Sequence, residues 1–374
     1  MSGRQSIADA QRVVIKIGSA LLVDPDTGAV HRRWLESLAT DVAAMRKRGQ
    51  QVLIVSSGAI AVGRRHLDLA QGHLRLHEQQ AAAATGMIRL AHAYQEVLEV
   101  HDLSVAQVLL TLDDSENRRR YINARNTLET LLKVGALPLI NENDTVATDE
   151  IRVGDNDRLA ARVTAMVSAD LLVLLSDIDG LYTADPRGDT TAEPIPLVEH
   201  EITPEIEAMA GNAASEDSRG GMVTKIAAGR IAMRAGARMI IGDGREDHPI
   251  KRLEDGARAT WFLPKANPRT ARKEWIAGAL KTTGAFVVDA GAEKALAQGK
   301  SLLPAGVTAV EGEFQRGEAV AVKTADDREI GRGLAAYPAA DARRLCGHKT
   351  SEIETLLGYR GRDEMIHRDD LVVH

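Results

Sequence analysis

The chain has 374 residues, 44% of them hydrophobic and 27% charged, which supplies enough aliphatic core for two or three domains. Aromatic residues make up only 3% and there is one cysteine, Cys346, so aliphatic layers rather than disulfides must hold the core. A net charge of −6 argues against nucleic-acid binding through the overall field. The first apolar run begins only at Val13 and no stretch reaches membrane-spanning length, so a soluble, cytoplasmic protein is expected.

In chain order, Val13 to Ile17, Val52 to Val55, Val105 to Leu110, Ala136 to Ile140, Leu171 to Leu175 and Arg238 to Ile241 read as strands. Several are continuously apolar, as in strands buried on both faces. Trp34, Leu35, Leu38, Val42 and Met45 recur at helical spacing, and Gly49 is placed to end that helix. Ala81 to Val100, Ala124 to Val134, Asp157 to Val167 and Met222 to Ala235 also read as helices. This alternation predicts a mostly parallel sheet in an α/β/α sandwich, ending near residue 264. Residues 265–281 read as a basic, proline-containing linker, and 282–374 as a small β-rich domain with one helix, Ser351 to Leu357.

Chemistry concentrates where the predicted strands end. VVIKIGS places Lys16 inside a buried strand, with Gly18 at its carboxyl end. A buried lysine must be paired or face a ligand; a lone one on an edge strand simply reaches solvent. VSSGAIAVG puts Ser57 and Gly58 at a helix start, an anion-binding corner or an ordinary cap. The block NENDTVATDEIRVGDND, Asn141 to Asp157, is dense in carboxylates and carboxamides, with one arginine and no lysine. It suits a small zwitterion or a partner for catalytic cations, and equally a solvated turn. Ser176 and Asp177 open SDIDGLYTADPR, a suitable nucleotide wall. Gly220, Gly221 and Met222 lead into Lys225 near a helix N-terminus, where a cation is better tolerated beside an anion. Gly299-Lys300-Ser301 and His367-Arg368-Asp369 are discounted as P-loop and kinase-loop mimics, because their surrounding residues do not fit.

Taken together, VVIKIGS, VSSGAIAVG, NENDTVATDEIRVGDND, SDIDGLYTADPR and GGMVTK resemble the glutamate 5-kinase branch of the amino acid kinase family. The tail resembles the PUA-type domain that bacterial members append. The resemblance implies a catalytic domain over 1–264, a PUA-like domain over 282–374, and ATP-dependent phosphorylation of the γ-carboxylate of L-glutamate. It assigns Lys16 and Lys225 to the transferring phosphoryl group, with Asp157 organising both. Ser57, Asp144 and Asn156 would hold glutamate, while Lys16, Gly18, Ser176, Asp177, Gly220, Gly221, Met222 and Lys225 would hold ATP. Mg²⁺ is expected to arrive with ATP, so no residue is assigned to a metal. Proline as feedback inhibitor, a homo-oligomer (dimer or tetramer) and contact with the next enzyme of proline biosynthesis are further implications. Arg219 departs from the small residue usual before the glycine pair. Rivals are another amino acid kinase (for acetylglutamate, aspartate or a nucleotide), a proline-sensing scaffold without catalysis, or an RNA-binding PUA protein. Acidic residues outnumber basic ones from Thr282 to His374, which disfavours the last of these.

Overall fold

The computed structural model describes residues 6–24, 27–69, 72, 74–146, 155–210, 221–278 and 282–374. The chain divides into two compact units, Met1–Asn117 with Asn123–Pro268, and Arg118–Ile122 with Arg269–His374.

The elements begin with β1 (Arg12–Ile17), α1 (Ser19–Leu22), α2 (Arg32–Lys47), β2 (Gln51–Ser56), α3 (Ala59–His66) and α4 (Leu76–Glu99). They continue with β3 (Val105–Leu110), α5 (Leu112–Glu116), α6 (Arg118–Lys133), β4 (Leu137–Glu142), α7 (Asp155–Met166) and β5 (Leu171–Ser176). A small hairpin, β6 (Leu181–Tyr182) and β7 (Pro194–Ile195), precedes β8 (Leu197–His200) and α8 (Pro204–Met209). Then come α9 (Met222–Arg234), β9 (Arg238–Asp243), α10 (Pro249–Glu254) and β10 (Ala259–Pro264).

Among the described residues the main sheet has eight strands in the order β3-β4-β2-β1-β5-β9-β10-β8. Pairing is parallel from β3 to β9; β10 then runs antiparallel to β9, with β8 parallel to β10. The sequence reading ended the sheet at β9 and missed β8 and β10. The latter carries Thr260, Trp261 and Pro264 beside only two aliphatic residues, Ala259 and Leu263, so its apolar run is broken. β4 also extends past Ile140, because Asn141 and Glu142 pair with Leu109 and Leu110 of β3 through backbone groups indifferent to side-chain polarity.

Alternation along each strand assigns its faces. Ile15 and Ile17 of β1, Ile54 of β2 and Leu175 of β5 share one core with Trp34, Leu38 and Met45 of α2, Tyr94 of α4 and Ile250 of α10. The intervening residues, Lys16 among them, face the opposite layer, which includes α7. Gly49 ends α2 in the left-handed region at φ 84°, as anticipated. Among the described residues no helix is long and apolar enough to cross a membrane.

In the second unit α11 (Pro268–Gly278) occupies most of the expected linker, and β11 (Gly284–Val288), α12 (Ala290–Ala297), β12 (Val307–Gly312), β13 (Ala319–Thr324) and β14 (Glu329–Leu334) follow. The unit closes with α13 (Ala339–Leu345), α14 (Ile353–Leu357) and β15 (Leu371–Val373). Its sheet runs β12-β11-β13-β14-β15 around a core where Phe286 and Phe314 meet edge to face, 5.4 Å apart. The sequence reading allowed one helix here. α12 and α13, at eight and seven residues, are too short to display a helical period.

α3 and α4 cross backbone to backbone at two glycines: a Cβ on Gly63 would lie 1.7 Å from the Ala82 carbonyl oxygen, and one on Gly86 1.8 Å from that of Ala59. No rotamer change relieves contact with backbone. Gly86→Ala is therefore expected to cost about 2–3 kcal/mol, read as a lower urea midpoint at unchanged slope. A midpoint equal to wild type would show that the helices separate freely.

Candidate active site

The strand order turns back between β1 and β5: β2, β4 and β3 lie to one side of β1, and β9 lies beyond β5. Ligands of open α/β sheets dock outside the carboxyl ends at such a switch point. Lys16 sits one residue from the end of β1, paired in register with Val55 and Leu174 on its two neighbours. Parity directs its side chain to the α7 face. There Asp157, in the first turn of α7, is fully buried and meets Lys16 Nζ at 2.5 Å through Oδ1. Its other oxygen takes Lys225 Nζ at 3.3 Å and the Thr224 hydroxyl at 2.9 Å, both from the first turn of α9.

Three elements thus deliver two ammonium groups to one carboxylate. Burial pushes the carboxyl of Asp157 upward, but Lys16, Lys225 and the hydrogen bonds from Lys16 and Thr224 together hold it below the ordinary carboxylate range. The N-terminus of α7 also favours a negative charge at that position. Lys16 is held below the ordinary lysine range, first by burial and then by Lys225, against the pull of Asp157. Asp157 also answers the question raised by a lysine in the first turn of α9: it is the neutralising anion.

Beside the triad, β2 ends in Ser56, and the next residue, Ser57, returns to the α7 face. Its Oγ accepts a hydrogen bond of 2.8 Å from Asn156 Nδ2, while Asn156 Oδ1 is buried with no hydrogen-bond partner among the described residues. Asp144, buried in a short turn (Asp144–Val146) just beyond β4, adds a second carboxylate from the polar block. The portion of that block from 147 to 154 lies outside the described residues, as do Arg219 and Gly220.

At the end of β5, Ser176 is buried and donates to Asp177 at 3.2 Å; Asp177 is exposed and also bonded by Arg187 at 2.9 Å. Burial pushes the Asp177 carboxyl up, but a backbone hydrogen bond and the side chains of Arg187 and Ser176 together hold it below the ordinary range. Gly221 caps α9 and Met222 begins it. Gly18 caps α1 with ordinary negative φ, and a Cβ there would meet nothing nearer than the Leu175 oxygen at 3.7 Å. The protein's own packing leaves that space open.

Three participants escaped the sequence reading. Thr224 was quoted beside Lys225 without a role, although a carboxylate serving two lysines has lone pairs to spare. Asn141 Nδ2 donates to the Ser56 carbonyl at 2.8 Å, inside the polar block but on the far side of its first turn. Tyr94 is fully buried, with its hydroxyl 3.1 Å from Ser56 Oγ, and nothing in its helical spacing separates it from a core residue.

A family description for the amino acid kinase family matches residues 11–243, and one for the PUA domain matches residues 284–357. The glutamate 5-kinase of Paramagnetospirillum magneticum is 65% identical over 98% of this chain and 99% of its own length. That of Rhodospirillum rubrum is 62% identical over 96% of each. A carbamate kinase from Giardia lamblia, solved with AMP-PNP, is 15% identical, with a TM-score of 0.50 over 69% of this chain and all of its own; it shares the fold.

Asp157→Asn leaves two buried ammonium groups facing each other, at an expected loss of about 3 kcal/mol. Because its folded pKa is lowered, Asp157 contributes stability above its unfolded pKa of about 4. The gap between wild type and variant should therefore be full at neutral pH and close as pH falls through the folded value. Urea titrations across pH measure it, and a gap independent of pH would contradict the pairing.

Proposed function

The chain belongs to the amino acid kinase family, with the glutamate 5-kinases, and we propose that it phosphorylates the γ-carboxylate of L-glutamate with ATP through the triad of Lys16, Lys225 and Asp157. An oxygen of the γ-carboxylate attacks the γ-phosphorus of ATP, the bond from that phosphorus to the bridging oxygen breaks, and ADP leaves. The product is the acyl phosphate L-glutamyl 5-phosphate, the first step of proline biosynthesis.

The nucleophile has a reference pKa of about 4.3 and is ionised at neutral pH, so no general base is required. The obstacle is charge: an anion must approach a triphosphate. Lys16 and Lys225 supply positive charge where the transferring group passes, and Asp157 keeps both ammonium groups aimed there. Mg²⁺ would enter as part of the nucleotide substrate and would add positive charge beside the phosphates. Ser176, Asp177, Gly220, Gly221 and Met222 hold the nucleotide, and the open space at Gly18 admits a phosphate oxygen close to backbone.

Ser57, Asp144 and Asn156 hold glutamate. With its Nδ2 committed to Ser57, Asn156 offers the pocket an acceptor, and a buried acceptor without a partner calls for a donor. The α-ammonium group of glutamate supplies one, and the Asp144 carboxylate reinforces that choice. We also assign the protein to the cytoplasm, with proline as inhibitor, a homo-oligomeric state and the next pathway enzyme as partner; these rest on the family resemblance.

The single observation that supports this reading most is one buried carboxylate shared by two lysines at the sheet's switch point. Wild-type protein with MgATP and glutamate should release ADP and, with hydroxylamine present, accumulate the hydroxamate. Lys225→Ala should retain its fold and lose turnover about 100- to 1000-fold, the effect of removing roughly 3–4 kcal/mol of transition-state stabilisation. Undiminished turnover would reject the role of Lys225.

A further inference from the structure

Ser57 is anchored on both of its peptide bonds by groups from the opposite face of the sheet. Asn141 Nδ2 donates to the Ser56 carbonyl at 2.8 Å, on the near side. On the far side the Ser56 hydroxyl donates to the Ser57 carbonyl at 3.3 Å, and that same hydroxyl lies 3.1 Å from the hydroxyl of Tyr94. A serine hydroxyl has one proton. If it goes to the Ser57 carbonyl, Tyr94 must be the donor to Ser56. Complete burial raises the phenol's pKa, so that proton is always present. The result is a directed chain from Tyr94 through Ser56 to the Ser57 carbonyl.

That carbonyl is thereby turned toward α4. In a trans peptide the following N–H points the opposite way, so the N–H of Gly58 faces the layer that holds Lys16 and Asn156. Gly58 adopts φ 101° at the cap of α3, where a side chain is strained and a Cβ would press Val23 at 2.9 Å.

We propose that Tyr94 is a positioning residue for glutamate: acting through Ser56, it fixes the Ser57–Gly58 peptide so that the Gly58 N–H meets the substrate's α-carboxylate. The inference rests on the functional reading above and extends it to a residue buried in the opposite helical layer. No proton moves in this role. Tyr94 acts only by keeping one donor pointed at an anion.

Two variants carry the test. Tyr94→Phe keeps the ring in its packed place, and Ser56→Ala keeps Tyr94 intact should the first variant fail to fold. Each should raise KM for glutamate about tenfold, the order expected for losing a well-placed hydrogen bond to a charged group, while KM for ATP stays at the wild-type value. Calorimetric titration with glutamate should show the same loss of affinity without turnover. The double variant should be no worse than Ser56→Ala alone, since both act through one chain. Wild-type turnover of glutamate is the control for the functional reading. With that control positive, KM and affinity for glutamate within twofold of wild type in both folded variants would overturn the role of Tyr94. A mere loss of thermal stability with unchanged glutamate binding would overturn it equally.

Discussion

Asp157 between Lys16 and Lys225 is the contact on which the structure turns. A carboxylate with no solvent exposure is costly to bury, and either lysine alone beside an apolar sheet would be costlier still. The three are tolerable only together.

The fold positions this triad with few devices. Parallel pairing brings the ends of β1, β2 and β5 to one edge, and the two-residue period of a strand sorts their last residues onto opposite faces. Lys16, Ser57 and Ser176 fall on the face covered by α7. Ser56 falls on the face covered by α4, where it meets Tyr94. α7 contributes Asn156 and Asp157 from one turn, so the hydrogen bond to Ser57 and the alignment of the two lysines share one element. The glycine crossing brings α3, which follows the Ser57 corner, against α4 backbone to backbone.

Much of this was legible in the sequence because it rests on exceptions to patterning. A lysine inside VVIKI, an acidic block directly after a buried strand, and a lysine in the first turn of a helix each violate a local rule, and the violations converge on one place. What stayed hidden obeys the rules. Tyr94 occupies a core position of an ordinary helix, and only the fold brings its hydroxyl to 3.1 Å from Ser56 Oγ. Gly63 and Gly86 read as weak helix residues, since their pairing depends on a crossing that no one-dimensional period encodes. The antiparallel β10 and the short helices of the second unit were missed for a related reason. Brief or mixed segments take their structure from neighbours rather than from their own composition.

We assign the triad to binding the travelling phosphoryl group rather than ATP itself. Calorimetric titration of wild type and Lys225→Ala with MgADP and aluminium fluoride, in the presence of glutamate, measures this most directly. The account predicts that the variant loses affinity for the planar phosphoryl mimic about a hundredfold or more, in step with its loss of turnover, while MgADP alone binds nearly as before. Equal losses for the mimic and for MgADP would contradict it.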